Sequence, residues 1–208
     1  MIIRVLLADD HPATCAGLRA MLDAVPDIEV VGEAHDGLEV QRLIAELHPA
    51  VLLLDLVMPD LRPAEFVLWT RANYPGTEVL PLTAHDRDYY LAWMVESGAA
   101  GFVTKDEAAE NLVEAIRRAV RGEVLFSREQ LARVEHWREA VGQKWERLTK
   151  REQEVLRLTA QGLDNATIAG ALGVRIRTVE QHITNILDKL GASSRLEAAM
   201  WVRDHLPE

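Results

Sequence analysis

The sequence predicts an α/β front half, a doubly wound sheet of five parallel strands, followed by an all-α rear half. Three observations carry that expectation. Short apolar runs alternate with helical stretches up to residue 122, the pattern of a parallel sheet covered on both faces. From Ser127 onward the strand-like runs stop and only helical spacing remains. The charge divides at the same place. Residues 1–126 hold 21 acids and 10 Lys/Arg, a net of −11, whereas residues 127–208 hold 12 acids and 13 Lys/Arg, a net of +1. An acidic module and a near-neutral module are expected to meet different partners.

The front half reads in order. IIRVLLA (2–8) is a strand, and 12–24 is a helix with Leu18, Met21, Leu22 and Val25 on one face. IEVVGEA (28–34) is the second strand. DGLEVQRLIAEL (36–47) is a helix whose apolar stripe is Leu38, Leu43, Ile44 and Leu47. VLLL (51–54) is a strand buried on both faces, followed by a helix over 64–72. TEVLPLT (77–83) is a strand whose pairing Pro81 limits, because proline has no N–H to donate. DYYLAWMVESG (88–98) is a helix closed by Gly98, AGFVT (100–104) the fifth strand, and 106–122 a helix stopped by Gly122. That last helix has acids early and Arg117, Arg118 and Arg121 late, as the helix dipole favours.

In the rear half, a helical linker over 123–147 opens on a capping box, Ser127 with Gln130, and carries Leu131, Val134, Trp137, Val141 and Trp145 as its stripe. Four helices follow, at 148–162, 164–173, 177–191 and 194–206. The first and last open on further boxes, Thr149 with Glu152 and Ser194 with Glu197. The domains expected are therefore 1–122 and 148–208, joined by 123–147.

At 208 residues the chain suits two small domains. Cys15 is the one cysteine, so no internal disulfide forms. The N-terminus lacks the apolar stretch of a signal peptide, and no run reaches the roughly 18 apolar residues of a membrane helix. A cytoplasmic protein without membrane attachment is expected.

In a doubly wound sheet the site lies outside the carboxyl ends of the strands. Here the chemistry collects at those ends: Asp9 and Asp10 after the first strand, Asp55 after the third, Thr83 at the fourth and Lys105 at the fifth. Three converging carboxylates repel one another, so the site calls for a cation, and hard oxygen ligands suit Mg²⁺. Acids, a hydroxyl and a lysine around a divalent ion describe phosphoryl transfer, with a carboxylate as nucleophile. No Gly-rich phosphate loop follows the first strand, which argues against a nucleotide enzyme or flavoprotein.

Residues 1–122, with LLADDHP, LLLDLVMPD, PLTAHD and GFVTKD, resemble the flavodoxin-like receiver domain of bacterial two-component response regulators. The resemblance implies that Asp55 is the phosphoacceptor, and that Asp10, Asp55 and the Val57 backbone carbonyl bind Mg²⁺, with Asp9 supporting the metal through water. It implies that Thr83 and Lys105 contact the phosphoryl group and that Phe102 is the aromatic switch. Val57 and His85 occupy positions near the attacking water, which bears on the lifetime of the phosphoaspartate. The chain departs from the family in LRPAEF (61–66), where Pro63 replaces the usual flexible, glycine-containing loop.

Residues 148–205 resemble the four-helix helix-turn-helix domain of the NarL/FixJ/LuxR type, in LTKREQEVLRLTAQG, NATIAGALGV, RTVEQHITNILDKLG and SSRLEAA. The resemblance implies binding to double-stranded DNA. Ile168, Ala169 and Leu172 should pack the first helix of the motif, and Val179, Ile183, Ile186, Leu187 and Leu190 the second. That leaves Thr178, Glu180, Gln181, Thr184 and Asn185 for the major groove. Arg175, Arg177, Lys189 and Arg195 are the expected phosphate contacts, with Arg175 standing where the family often has an N-cap serine. Residues 148–208 hold 8 Lys/Arg against 8 acids, so a monomer should bind DNA weakly and a homodimer better. The expected function is a regulator of transcription, not an enzyme, switched by a partner histidine kinase. A DNA binder indifferent to phosphorylation is the competing reading.

Overall fold

The computed structural model describes residues 2–106 and 109–206. Two compact units divide between Ala132 and Arg133, inside the stretch expected as linker.

In the first unit, β1 (Ile3–Ala8), β2 (Ile28–Ala34), β3 (Val51–Leu54), β4 (Glu78–Thr83) and β5 (Val103–Thr104) form one parallel sheet in the order β2-β1-β3-β4-β5. Helices α1 (Pro12–Leu22), α2 (Gly37–Leu47), α3 (Pro63–Asn73), α4 (Asp88–Ser97) and α5 (Ala109–Val120) connect and follow the strands. All four residues of β3 are buried, as are Val5, Leu6 and Leu7 of β1, so the apolar strands are the floor of the core. Strand order reverses between β1 and β3, which opens a crevice at their carboxyl ends. Register puts Ala8 beside Leu54, and the Asp55 N–H donates to the Ala8 carbonyl at 2.8 Å. The residues that follow, Asp9 and Asp55, therefore leave the sheet side by side.

Three local differences from the expected elements have physical causes. Leu38 is 67% exposed, and Val40 takes its place in the buried stripe with Leu43 and Ile44. Asp36 caps α2 by accepting the Glu39 N–H at 2.7 Å, and spacings of three and four then run from Val40, not Leu38. The fifth strand is shorter than 100–104. Ala100 donates to the Val79 carbonyl at 2.8 Å, and pairing resumes at Leu82↔Val103. The gap falls opposite Leu80–Pro81, where the proline has no N–H to give. Pro63, expected to disturb the loop after Asp55, is instead the first residue of α3, where its fixed φ and missing N–H cost nothing.

That loop is fixed from the other side. Gly37 donates its N–H to the Pro59 carbonyl at 3.0 Å, and Asp60 adopts φ 56°. A Cβ on Gly37 would stand 2.6 Å from the Asp60 carbonyl oxygen. Gly37→Ala is expected to push the 59–61 backbone off α2 and to cost about 1–3 kcal/mol, measured by urea unfolding.

The linker helix begins as predicted. In α6 (Arg128–Trp137) the Ser127 N–H donates to Gln130 Oε1 at 2.9 Å and the Gln130 N–H to Ser127 Oγ at 3.0 Å. Gln130 also donates from Nε2 to the Phe102 carbonyl at 3.1 Å, which ties the helix start to β5. Residues 138–142 then form a π turn, in which the Gln143 N–H reaches back to the Arg138 carbonyl.

In the second unit Val134, Trp137 and Val141 are buried, and α7 (Gln143–Glu146) packs on the third of the helices that follow. These are α8 (Lys150–Ala160), α9 (Asn165–Leu172), α10 (Ile176–Leu190) and α11 (Arg195–His205). Gly173 and Gly191 close α9 and α10 in the left-handed conformation, at φ 64° and 72°. The Thr149–Glu152 box is complete. The Ser194–Glu197 box is not: Ser194 accepts the Glu197 N–H, but the Glu197 carboxylate turns to the Ser193 N–H and hydroxyl.

Candidate functional site

At the mouth of the crevice Asp9 and Asp55 are 2% and 5% exposed. Two carboxylates so placed are costly without a positive partner. Lys105, just beyond β5, supplies it: its Nζ lies 2.6 Å from Asp9 Oδ2 and 2.7 Å from Asp55 Oδ2. Burial alone would lower the Lys105 ammonium's pKa. The bonds to Asp55 and Asp9 and their charges outweigh burial and hold it above the usual lysine range.

One ammonium faces three acids. Asp9, Asp10 and Asp55, together with His11, each present a ligand atom within 4.8 Å of the others. Asp10 Oδ1 is buried and accepts no hydrogen bond, although His11 Nδ1 stands 2.7 Å away. A buried anionic oxygen with no aligned donor, inside a cluster of hard oxygens, fits a divalent cation such as Mg²⁺.

The remaining residues of the set lie just after β3, at the end of β4 and just before β5. The exposed Val57 donates its N–H to Asp55 Oδ1 at 3.2 Å. Thr83 is fully buried at the end of β4, its Oγ1 accepting the His85 N–H at 3.1 Å. Phe102 is buried before β5, with Gln130 on its carbonyl. Burial pushes the Tyr90 phenol on α4 well up, and the charge of Asp55 adds to the shift. Cys15 Sγ lies 3.6 Å from the Asp9 carbonyl, and burial first, then Asp9 and Glu33, pushes its thiol up to about 11. A thiol so protonated is inert. Sequence reasoning passed over His11, whose signal was its place directly after the acid pair.

In the second unit α10 buries Val179, Ile186 and Leu190 and exposes Arg177, Thr178, Glu180, Gln181 and Thr184, with Asn185 partly covered. Gln181 Nε2 donates to Asn185 Oδ1 at 3.0 Å, which aligns two amides on the exposed face. Arg175 is exposed at the N-cap of α10 and makes no capping bond.

Two of the expected phosphate contacts are otherwise engaged. Lys189 Nζ sits 2.6 Å from Glu152, a carboxylate 2% exposed. Arg195 donates to Asn165 Oδ1 and to the Leu163 carbonyl, holding α11 to the start of α9. Their charge was legible in the sequence; these partners, 37 and 32 residues away at the farthest, were not.

Burial alone would raise the Glu152 carboxyl, but Lys189 and the Thr149 N–H and hydroxyl hold it below the usual range. A depressed carboxyl adds stability above its unfolded value, about 4.3, and that stability is lost as pH falls through the folded value. Glu152→Gln should therefore destabilise the chain by about 1–3 kcal/mol at pH 7, and by less below about pH 4. Paired thermal unfolding of the two proteins at both pH values checks this.

Residues 5–117 match the response regulator receiver domain, and residues 146–202 match the bacterial regulatory proteins of the luxR family. The transcriptional regulatory protein LiaR of Bacillus subtilis (strain 168) is 41% identical over 210 residues, covering 99% of both chains. The response regulator protein VraR of Staphylococcus aureus (strain NCTC 8325 / PS 47) is 34% identical over 205 residues, 99% of this chain and 98% of its own. Among solved structures, RcsB of Salmonella enterica serovar Typhimurium, bound to promoter rprA with the phosphomimetic BeF3−, superposes with TM-score 0.62 at 27% identity. It covers 98% of this chain and 99% of its own. Another RcsB structure, with two dimers on two parallel DNAs, gives TM-score 0.62 at 26% identity, again over 98% and 99%. Among the described residues no helix is long and apolar enough to cross a membrane.

Proposed function

Because the chain belongs to the response regulators that carry a luxR-family DNA-binding domain, we propose that this transcriptional regulator is switched by phosphorylation of Asp55. The observation that carries the reading is the three-way contact of Lys105 with Asp9 and Asp55. It sets an acceptor carboxylate beside a fixed cation at the mouth of the sheet.

A histidine kinase is the donor. An Asp55 carboxylate oxygen attacks the phosphorus of its phosphohistidine; the O–P bond forms as the N–P bond breaks, and the imidazole leaves with the electron pair. Lys105 is placed to turn its ammonium from the carboxylates to the phosphoryl oxygens, and the Thr83 hydroxyl to donate a further hydrogen bond. Asp9, Asp10 and Asp55, with the Val57 carbonyl, would hold Mg²⁺, which offsets charge on the transferred group. Water attack on the phosphoaspartate releases phosphate and resets the switch, with Val57 and His85 flanking its approach.

On the output side, Arg175 and Arg177 meet phosphates, and Thr178, Glu180, Gln181, Thr184 and Asn185 face the major groove. Lys189 and Arg195 serve the domain's own packing. A domain of zero net charge needs two half-sites held together, so the active form is a homodimer. Incubation with a small phosphodonor and Mg²⁺ tests the reading. A mass gain of one phosphoryl group, mapped to the 51–60 segment, is expected; a gain mapped elsewhere, or none, overturns it.

A further inference from the structure

His11 directly follows the acid pair and is the N-cap of α1, with extended backbone at φ −100° and ψ 104°. An N-cap side chain ordinarily accepts a hydrogen bond from the first turn of its helix. His11 makes no such bond. Its backbone N–H instead donates to Asp9 Oδ1 at 2.9 Å, and its ring turns over the carboxylates, with Nδ1 2.7 Å from Asp10 Oδ1 and 3.3 Å from Asp9 Oδ1. Pro12, fixed in φ at the start of α1, limits where that ring can go.

Charge also bears on its role. Three carboxylates and the Lys105 ammonium leave two negative charges, which a divalent ion cancels. A neutral imidazole then adds a donor atom without adding charge. An all-oxygen site suits Mg²⁺, whereas one imidazole among carboxylates shifts preference along the divalent first-row series.

Resting on the cation reading above, we infer that His11 is a nitrogen ligand of this centre, and that the site takes first-row transition ions more tightly than Mg²⁺. A histidine that only counterbalanced the acids would instead leave when the metal arrives.

Pulsed electron paramagnetic resonance of the full chain with one equivalent of Mn²⁺ separates the two. The expected spectrum carries imidazole ¹⁴N coupling in the wild type and loses it in His11→Ala, while Asp10→Asn weakens Mn²⁺ binding itself. Bound Mn²⁺ without that coupling, or coupling that persists in His11→Ala, overturns the nitrogen ligand and leaves the cation site standing. Wild-type protein that binds no Mn²⁺ overturns both. Calorimetry adds a second readout: His11→Ala should weaken Co²⁺ by about 10–100-fold and Mg²⁺ by less than about threefold. Equal losses for the two ions contradict the inference.

Discussion

Asp55→Asn is expected to slow phosphoryl uptake from a small phosphodonor by at least about 10³-fold, because the amide keeps the shape of the carboxylate and none of its nucleophilicity. The fold should survive the change. The Asn oxygen can still accept from Lys105, Asp9 keeps its own bond to that ammonium at 2.6 Å, and one of the three crowded charges disappears. Metal-free Asp55→Asn is therefore expected to unfold no earlier than the wild type, so that lost phosphorylation cannot be laid to lost structure. Intact mass and thermal unfolding on the same sample check both halves.

Lys105→Ala should do the opposite to stability. Asp9 and Asp55 are nearly inaccessible, and Lys105 is the cation in contact with both. Breaking a buried pair on one side leaves its carboxylates uncompensated and costs about 3–5 kcal/mol. The pH sense follows from the raised lysine. A pKa above the unfolded value contributes fully below about 10.4 and is lost as pH rises through the folded value, so the deficit should be constant across neutral pH. Mg²⁺ should restore part of the lost stability, since it replaces the missing charge. Phosphoryl uptake should still fall by about 10²–10³-fold, since Mg²⁺ does not replace the ammonium's contact with the phosphoryl oxygens. Urea unfolding with and without Mg²⁺, beside a single-turnover phosphorylation rate, separates the two roles. A variant as stable as the wild type would mean that the acids are not held by Lys105.

Much of this was legible in the chain itself. VLLL is apolar without interruption, and IIRVLLA is broken only by Arg4, so both read as buried strands. In a doubly wound sheet that alone sends Asp9, Asp10, Asp55, Thr83 and Lys105 to one end. Capping chemistry was legible where it is local: Ser127 with Gln130 and Thr149 with Glu152 form as read. Features that depend on distant partners were not. The loss of ladder pairing at 101–102 depends on Pro81 in the neighbouring strand. The side chain of Gln130 was visible as a cap but not as a donor to Phe102, 28 residues away. Lys189 reads in the sequence as a phosphate contact because nothing local points to Glu152. His11 was overlooked because its role depends on a ring turned back over the acids, which spacing does not encode.

The central claim is that Asp55 phosphorylation controls DNA binding, and one titration tests it most directly. The wild-type chain and Asp55→Asn are each titrated onto selected genomic DNA at fixed salt, with and without a small phosphodonor and Mg²⁺. The donor is expected to tighten wild-type binding by about tenfold or more and to leave Asp55→Asn where it was, with both proteins binding weakly in its absence. Wild-type binding that is equally tight without the donor, or an Asp55→Asn variant that still responds to it, would contradict the account.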